Sequence, residues 1–156
     1  MVDGSPQQGR KVLFLDFDGV LHLESRAKET PFEKLPLLHE LAGRHQFEVV
    51  ISSSWRFTWA LEDLQSCLGE NLRVTGTTGA AVIGKHPRAT EILLYAQENK
   101  LTDWRALDDA RFEFPTDFKN LIWCNPREGL TPRELRLLEI WLETPTYYAL
   151  RPLHQV

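Results

Sequence analysis

In LFLDFDGVLH an apolar run ends at Asp16, and Asp18 follows two residues on, so both carboxylates can leave one strand end before Gly19 turns the chain. Acids held that close repel unless a cation or a shared proton relieves them, and hard oxygen ligands suit magnesium. Asp108 and Asp109, directly after Leu107, repeat the arrangement and supply the further acids that a divalent ion needs. Between these clusters, VVISSSWR places hydroxyls after another apolar run, where Ser52, Ser53 and neighbouring backbone N–H groups can hold a phosphate oxygen. GKHPRATEI then offers Lys85 and Arg88, either of which can neutralise phosphoryl oxygens and crowded aspartates. Together these residue types suit metal-assisted phosphoryl chemistry.

The elements that must position them alternate. Val12 to Leu15, Phe47 to Ile51, Arg73 to Thr75, Trp104 to Leu107 and Asn120 to Cys124 read as strands, the first as one buried on both faces. Helical spacing predicts helices over Pro36 to His45, Phe57 to Leu68 and Thr90 to Glu98. A last helix is predicted to about Leu142, with Thr131 as N-cap, Pro132 in the first turn and Glu134 three past the cap. Gly76 to Gly84 reads as a loop or flap. The pattern predicts an α/β fold, a Rossmann-like three-layer sandwich around a mostly parallel sheet, with ligands gathered beyond the carboxyl ends of the strands.

Bulk properties narrow the setting. A length of 156 residues fits one domain, with its core at about 11 to 142 and peripheral arms at roughly 1 to 9 and 145 to 156. A net charge of −4 argues against coating nucleic acid by bulk electrostatics, although a local basic patch remains compatible with it. Cys67 and Cys124 lack a paired spacing, so buried free thiols are expected rather than a disulfide or a zinc site. With neither a signal-like start nor a run of membrane-spanning length, a soluble, reducing, cytoplasmic setting is expected.

The four ordered motifs resemble those of the haloacid dehalogenase-like (HAD) superfamily: DFDGV, SSS after an apolar strand, a basic residue before a helix, and a strand ending in DD. The resemblance covers about residues 11 to 142. Within it, DFDGVLH, VVISSSWR, RATEI, ALDD and the late NPREGLT look like the small domain of multifunctional RNA repair proteins. The resemblance implies that Asp16 is the nucleophile, forming an aspartyl-phosphate, and that Asp18 is the general acid and later the base. It implies magnesium bound by Asp16, the backbone carbonyl of Asp18, and Asp108 or Asp109, with Ser52 on a phosphoryl oxygen. Either Lys85 or Arg88 takes the basic role, with the lean towards Arg88. An acid at Asp18 favours phosphoryl transfer over dehalogenation, because a leaving alkoxide needs a proton.

Only 36 positions separate Asp16 from Ser52 and 56 separate Ser52 from Asp108, which leaves no room for an inserted cap. An open site suits a phosphomonoester at a nucleic-acid or nucleotide end. Gly19, His22, Ser53, Trp55 and Arg56 are the candidate substrate contacts, Trp55 and Arg56 as a stacking and phosphate-pairing rim. Helical spacing draws Phe57 and Trp59 into the core instead, and His22 either lines the site or is a buried or capping residue. The alternatives are a small-metabolite phosphatase and a non-catalytic, phosphate-binding regulatory module.

Overall fold

A computed structural model describes residues 9–146. Strands β1 (Val12–Leu15), β2 (Glu48–Ile51), β3 (Arg73–Thr77), β4 (Trp104–Asp108) and β5 (Leu121–Trp123) form one sheet, ordered β3-β2-β1-β4-β5. Every pairing is parallel. Helices α1 (Leu35–Arg44), α2 (Leu61–Leu68) and α3 (Pro87–Glu98) make crossovers, and α4 (Pro132–Glu143) follows β5. The chain winds outward from β1 to β3, then returns to β4 on the other side of β1. That reversal opens a crevice at the strand ends.

Alternation along the strands sets the layers. Leu13 and Leu15, Val49 and Ile51, and Leu107 pack with Leu38 and Leu41 of α1, Leu64 and Leu68 of α2, and Leu138 and Trp141 of α4. One position out of phase, Phe14, Val50 and Ala106 meet Ala89, Ile92 and Ala96 of α3. Each fully buried leucine or phenylalanine adds about 1.5–3 kcal/mol, so the pattern fixes which way every strand faces. Leu15 is level with both Ile51 and Leu107. The next residues in phase with α3 are therefore Asp16, Ser52 and Asp108, and three polar groups emerge in line on that side. This is a Rossmann-like α/β sandwich, and no cap interrupts it among the described residues.

Several boundaries differ from those expected. The helix predicted from Phe57 starts at Leu61, because Ser53 accepts from the Trp55 N–H and starts a separate 3-10 turn over Ser54–Phe57. Helix α3 begins at Pro87 rather than Thr90, since proline suits the first turn. Strand β3 runs on through Gly76 to Thr77 across a bulge opposite Val49 and Val50, and a Cβ at Gly76 would strike the Tyr95 hydroxyl. The capping box of α4 forms as its spacing predicts. Cys124 is buried, whereas Cys67 is exposed, on the polar face of α2. Of the expected arms, residues 1–8 and 147–156 lie outside the described residues. Thr146 is buried and donates to Asp103 Oδ2 at 3.0 Å, which ties that part of the second arm to the body. Among the described residues no helix is long and apolar enough to cross a membrane.

Candidate active site

Asp16, Asp108 and Asp109 each offer a carboxylate oxygen, and these atoms lie within 4.8 Å of one another. Asp16 and Asp108 are buried, and Asp109 is half-buried. Arg88, in the first turn of α3, puts Nη1 2.7 Å from Asp108 Oδ2 and 3.4 Å from Asp16 Oδ1. Asp108 Oδ1 also accepts from the Ala110 N–H at 2.9 Å, so its orientation is set from both sides. Ser52 is buried, and its Oγ has no hydrogen-bond partner among the described residues. A buried hydroxyl left unpaired costs about 1–3 kcal/mol, which marks it as kept for something else.

Burial lifts the Asp16 carboxyl well above its ordinary range, and the Asp108 charge adds to this against the pull of Arg88. Asp109 is raised as well, chiefly by burial. For Arg88, burial works against the charge, but Asp108 and Asp16 outweigh it and hold the guanidinium firmly protonated. One fixed cation therefore faces three clustered acids. A hard divalent cation fits this set, because the donors are all carboxylate oxygens and Arg88 relieves only part of their mutual repulsion. Among the described residues the other close group of potential ligands, His45, Glu139 and Glu143, is at the surface, with Glu139 already 2.6 Å from Arg44 Nη2.

Asp18 stands apart from the three acids. Its Oδ1 is 2.7 Å from His22 Nε2, and Trp55 Nε1 donates to both carboxylate oxygens at 3.2–3.3 Å. Asp16, Asp18, Glu24, Ser54, Arg88, Asp109, Phe112 and Glu113 line a cavity of about 230 Å³ at the strand ends. A larger hollow of about 870 Å³ opens at the opposite end of the sheet, between Lys11, Glu48, Arg73 and Glu143, where none of these groups is found. Gly19 has φ +79°, and a Cβ there would overlap the Asp109 carboxylate. Its place in the sequence is thus explained by backbone conformation and by the close approach of the two acidic motifs.

The expected contacts divide. Arg88, not Lys85, joins the cluster; Lys85 is exposed and makes no ion pair among the described residues. Trp55 packs among Phe17, His22 and Phe32, and its only polar atom is committed to Asp18, so it is not the exposed stacking rim expected of it. Arg56 is corrected similarly. It donates to the carbonyls of Ser52, Ser53 and Gly79 and to Glu91, with its side chain 3% exposed, so it braces the loop rather than facing solvent. Phe57 and Trp59, drawn into the core by their spacing, are instead 55% and 52% exposed because α2 starts only beyond them. Ser53 serves the turn through Trp55 N, and His22 is fully buried against Asp18.

Some residues of the site gave no signal in isolation. Glu91 receives Arg56 at 2.8 Å and the Val82 N–H at 3.0 Å; its i+3 spacing from Arg88 on α3 was the available clue. Glu24, Phe112 and Glu113 reach the mouth from short 3-10 turns, whose position no local pattern announces.

A sheet with this winding, an acidic cluster on adjacent strand ends and a second carboxylate two residues past the first define the HAD class. The chain belongs to the family described as the HAD domain in Swiss Army Knife RNA repair proteins, whose model matches residues 12–135. That span takes in all five strands and every acid that lines the cavity. Membership supports phosphohydrolase chemistry in general. Neither a curated protein nor a solved structure matches the chain.

Proposed function

We propose that this protein is a magnesium-dependent phosphohydrolase that removes a terminal phosphoryl group through an aspartyl-phosphate on Asp16. The observation that carries the reading is the clustering of Asp16 with Asp108 and Asp109 beside Arg88 and beside the Ser52 hydroxyl, which has no partner among the described residues. Asp16, Asp108, Asp109 and the backbone carbonyl of Asp18 would hold the magnesium ion, which when bound supplies charge neutralisation for the phosphoryl oxygens. An Asp16 carboxylate oxygen attacks phosphorus, Ser52 Oγ donates to a phosphoryl oxygen, and Arg88 balances the acids. Asp18 protonates the departing oxygen. It then takes a proton from the water that cleaves the acyl-phosphate, returning Asp16 to its carboxylate.

Nucleic-acid ends are the substrate class we favour, since the mouth is uncapped and Phe112 stands on it 80% exposed. The family's occurrence in RNA repair proteins supports the same reading. Glu24 and Glu113 favour a second one, a small ester with a neutral or cationic leaving group, because they make the mouth acidic. A comparison of kcat/KM for a phosphate-terminated oligonucleotide and its mononucleotide, with magnesium and with chelator, tests both. We expect chelation to abolish turnover and the oligonucleotide to be the better substrate, since each stacked base adds about 1–3 kcal/mol. A mononucleotide preferred at every salt concentration would leave the small-ester reading, and activity undiminished by chelator would remove the metal.

A further inference from the structure

We infer that His22, with Trp55, is a positioning residue that holds the Asp18 carboxyl so that Oδ2 alone is presented to the leaving oxygen of the substrate. The inference rests on the phosphohydrolase reading of Asp16 and Asp18 and adds to it a device two layers deep. His22 is fully buried. The backbone N–H of Phe32 donates to His22 Nδ1 at 3.1 Å, so Nδ1 is an acceptor without a proton and the ring carries its hydrogen on Nε2. That Nε2–H points at Asp18 Oδ1 from 2.7 Å. The tautomer, and with it the direction of the hydrogen bond, is set by a backbone group ten residues away in sequence.

The chain accepts strain for this contact. Phe32 has φ +58°, a left-handed conformation that a bulky side chain rarely adopts and that costs about 1–3 kcal/mol where it is imposed. The conformation is held by packing, since the Phe32 ring meets Phe17, His22 and Trp55 edge-on at 5.3–5.5 Å. His22 is in turn brought under Asp18 by the tight return of the motif, in which the Gly19 N–H donates to the His22 carbonyl at 2.8 Å. Trp55 Nε1 completes the grip from the other side, 3.3 Å from Oδ1 and 3.2 Å from Oδ2. Oδ1 thus has the short 2.7 Å contact with His22 as well as the indole, whereas Oδ2 meets only the indole, at 3.2 Å. Asp18 lines the cavity with its side chain about one-third exposed. Oδ2 is therefore the oxygen left to carry a proton. When the bond from phosphorus to the leaving oxygen breaks and that to Asp16 forms, this proton passes to the leaving oxygen, and Asp18 becomes the carboxylate that later deprotonates water.

A residue that positions a proton donor matters only where the leaving group needs the proton. The test compares kcat on an alkyl phosphate, whose alkoxide must be protonated, with kcat on p-nitrophenyl phosphate, whose phenolate need not be, in wild type, His22→Ala, His22→Gln and Trp55→Phe. His22→Ala is expected to lose about tenfold or more on the alkyl ester, within the range that general acid catalysis contributes, and much less on the aryl ester. His22→Gln, which returns an N–H near the Nε2 position, is expected to recover most of that loss. Trp55→Phe keeps an aromatic ring but not the donor and is expected to show the same selectivity more weakly. Equal losses on both esters would make His22 a packing residue and overturn the inference. Long-range 15N–1H spectra of the wild type read the geometry without turnover: an Nε2–H tautomer is expected, and a proton on Nδ1 would overturn it. Wild type inactive on both esters but with the expected tautomer would instead count against the phosphohydrolase reading, leaving the buried contact intact.

Discussion

At the amino-terminal end of the sheet Asp103 is almost wholly buried, and it accepts from Lys11 Nζ at 2.6 Å, Trp141 Nε1 at 2.7 Å and Thr146 Oγ1 at 3.0 Å. At the carboxyl-terminal end Asp16 and Asp108 are buried to a similar degree, yet they cluster with Asp109 and, among the described residues, pair only with Arg88. Both are buried carboxylate centres on one sheet, and only their ratio of donors to acids differs. A carboxylate matched by its donors holds structure together, whereas crowded acids with too few donors cost stability and are retained for what they bind. Burial of charge alone would have pointed equally to both ends.

The sharpest way to break this comparison is Asp16→Asn. Turnover is expected to fall at least about 10³-fold, as for loss of a covalent nucleophile, while stability stays level or rises because a repelling charge is gone. Near-normal activity in that variant would end the nucleophile assignment. Asp103→Ala should do the reverse: it strands Lys11 and Trp141 and is expected to cost about 3 kcal/mol in denaturant unfolding, with the activity of the folded fraction unchanged. If Asp103→Ala proved as stable as wild type, the two ends would not differ as argued.

The pH dependence separates them further. Because burial and then Asp108 raise Asp16 above its ordinary 3.8, the folded protein binds more protons than the unfolded chain between that value and the raised one. Metal-free stability should therefore fall as pH rises through this window, by up to about 1.4 kcal/mol per pH unit, and level off above it. Magnesium should raise the unfolding midpoint more at pH 8 than at pH 5, where it must displace protons. A midpoint insensitive to magnesium at pH 8 would contradict the metal assignment. The smallest effect belongs to Glu40→Ala, which breaks an exposed pair with Arg44 at 2.9 Å and should leave the midpoint where it was. A clear shift there would mean that pairing itself, rather than burial, decides the cost at Asp103.

Much of the site was legible because it depends on local order. A run of apolar residues ending in acid, repeated at Asp16 and Asp108 with Ser52 between, declares strands whose carboxyl ends must meet if the sheet is parallel, and period-two alternation then puts all three on one face. The choice between Lys85 and Arg88 was not legible, since three positions apart both precede or open the same helix, and the outcome depends on which one faces the acids. The aromatic residues after Ser52 misled for a similar reason. Their spacing is helical, but the Ser53 cap and the four bonds made by Arg56 stop the chain in a short turn, half-burying Trp55 and exposing Phe57 and Trp59.

What the amino-acid sequence determined by itself is the set of groups and their order: the first apolar strand ending in acid, the acid pairs, the hydroxyl and the α/β winding that gathers them. Only the tertiary structure decided what each flanking side chain touches. His22 meets Asp18 and the Phe32 N–H, Trp55 gives its one donor to Asp18, and Arg56 turns inward to Glu91. Periodicity assigns a residue to a face, because that is a property of the backbone repeat. A hydrogen-bond partner from another element is fixed by the packing of several elements at once, and no local pattern records it.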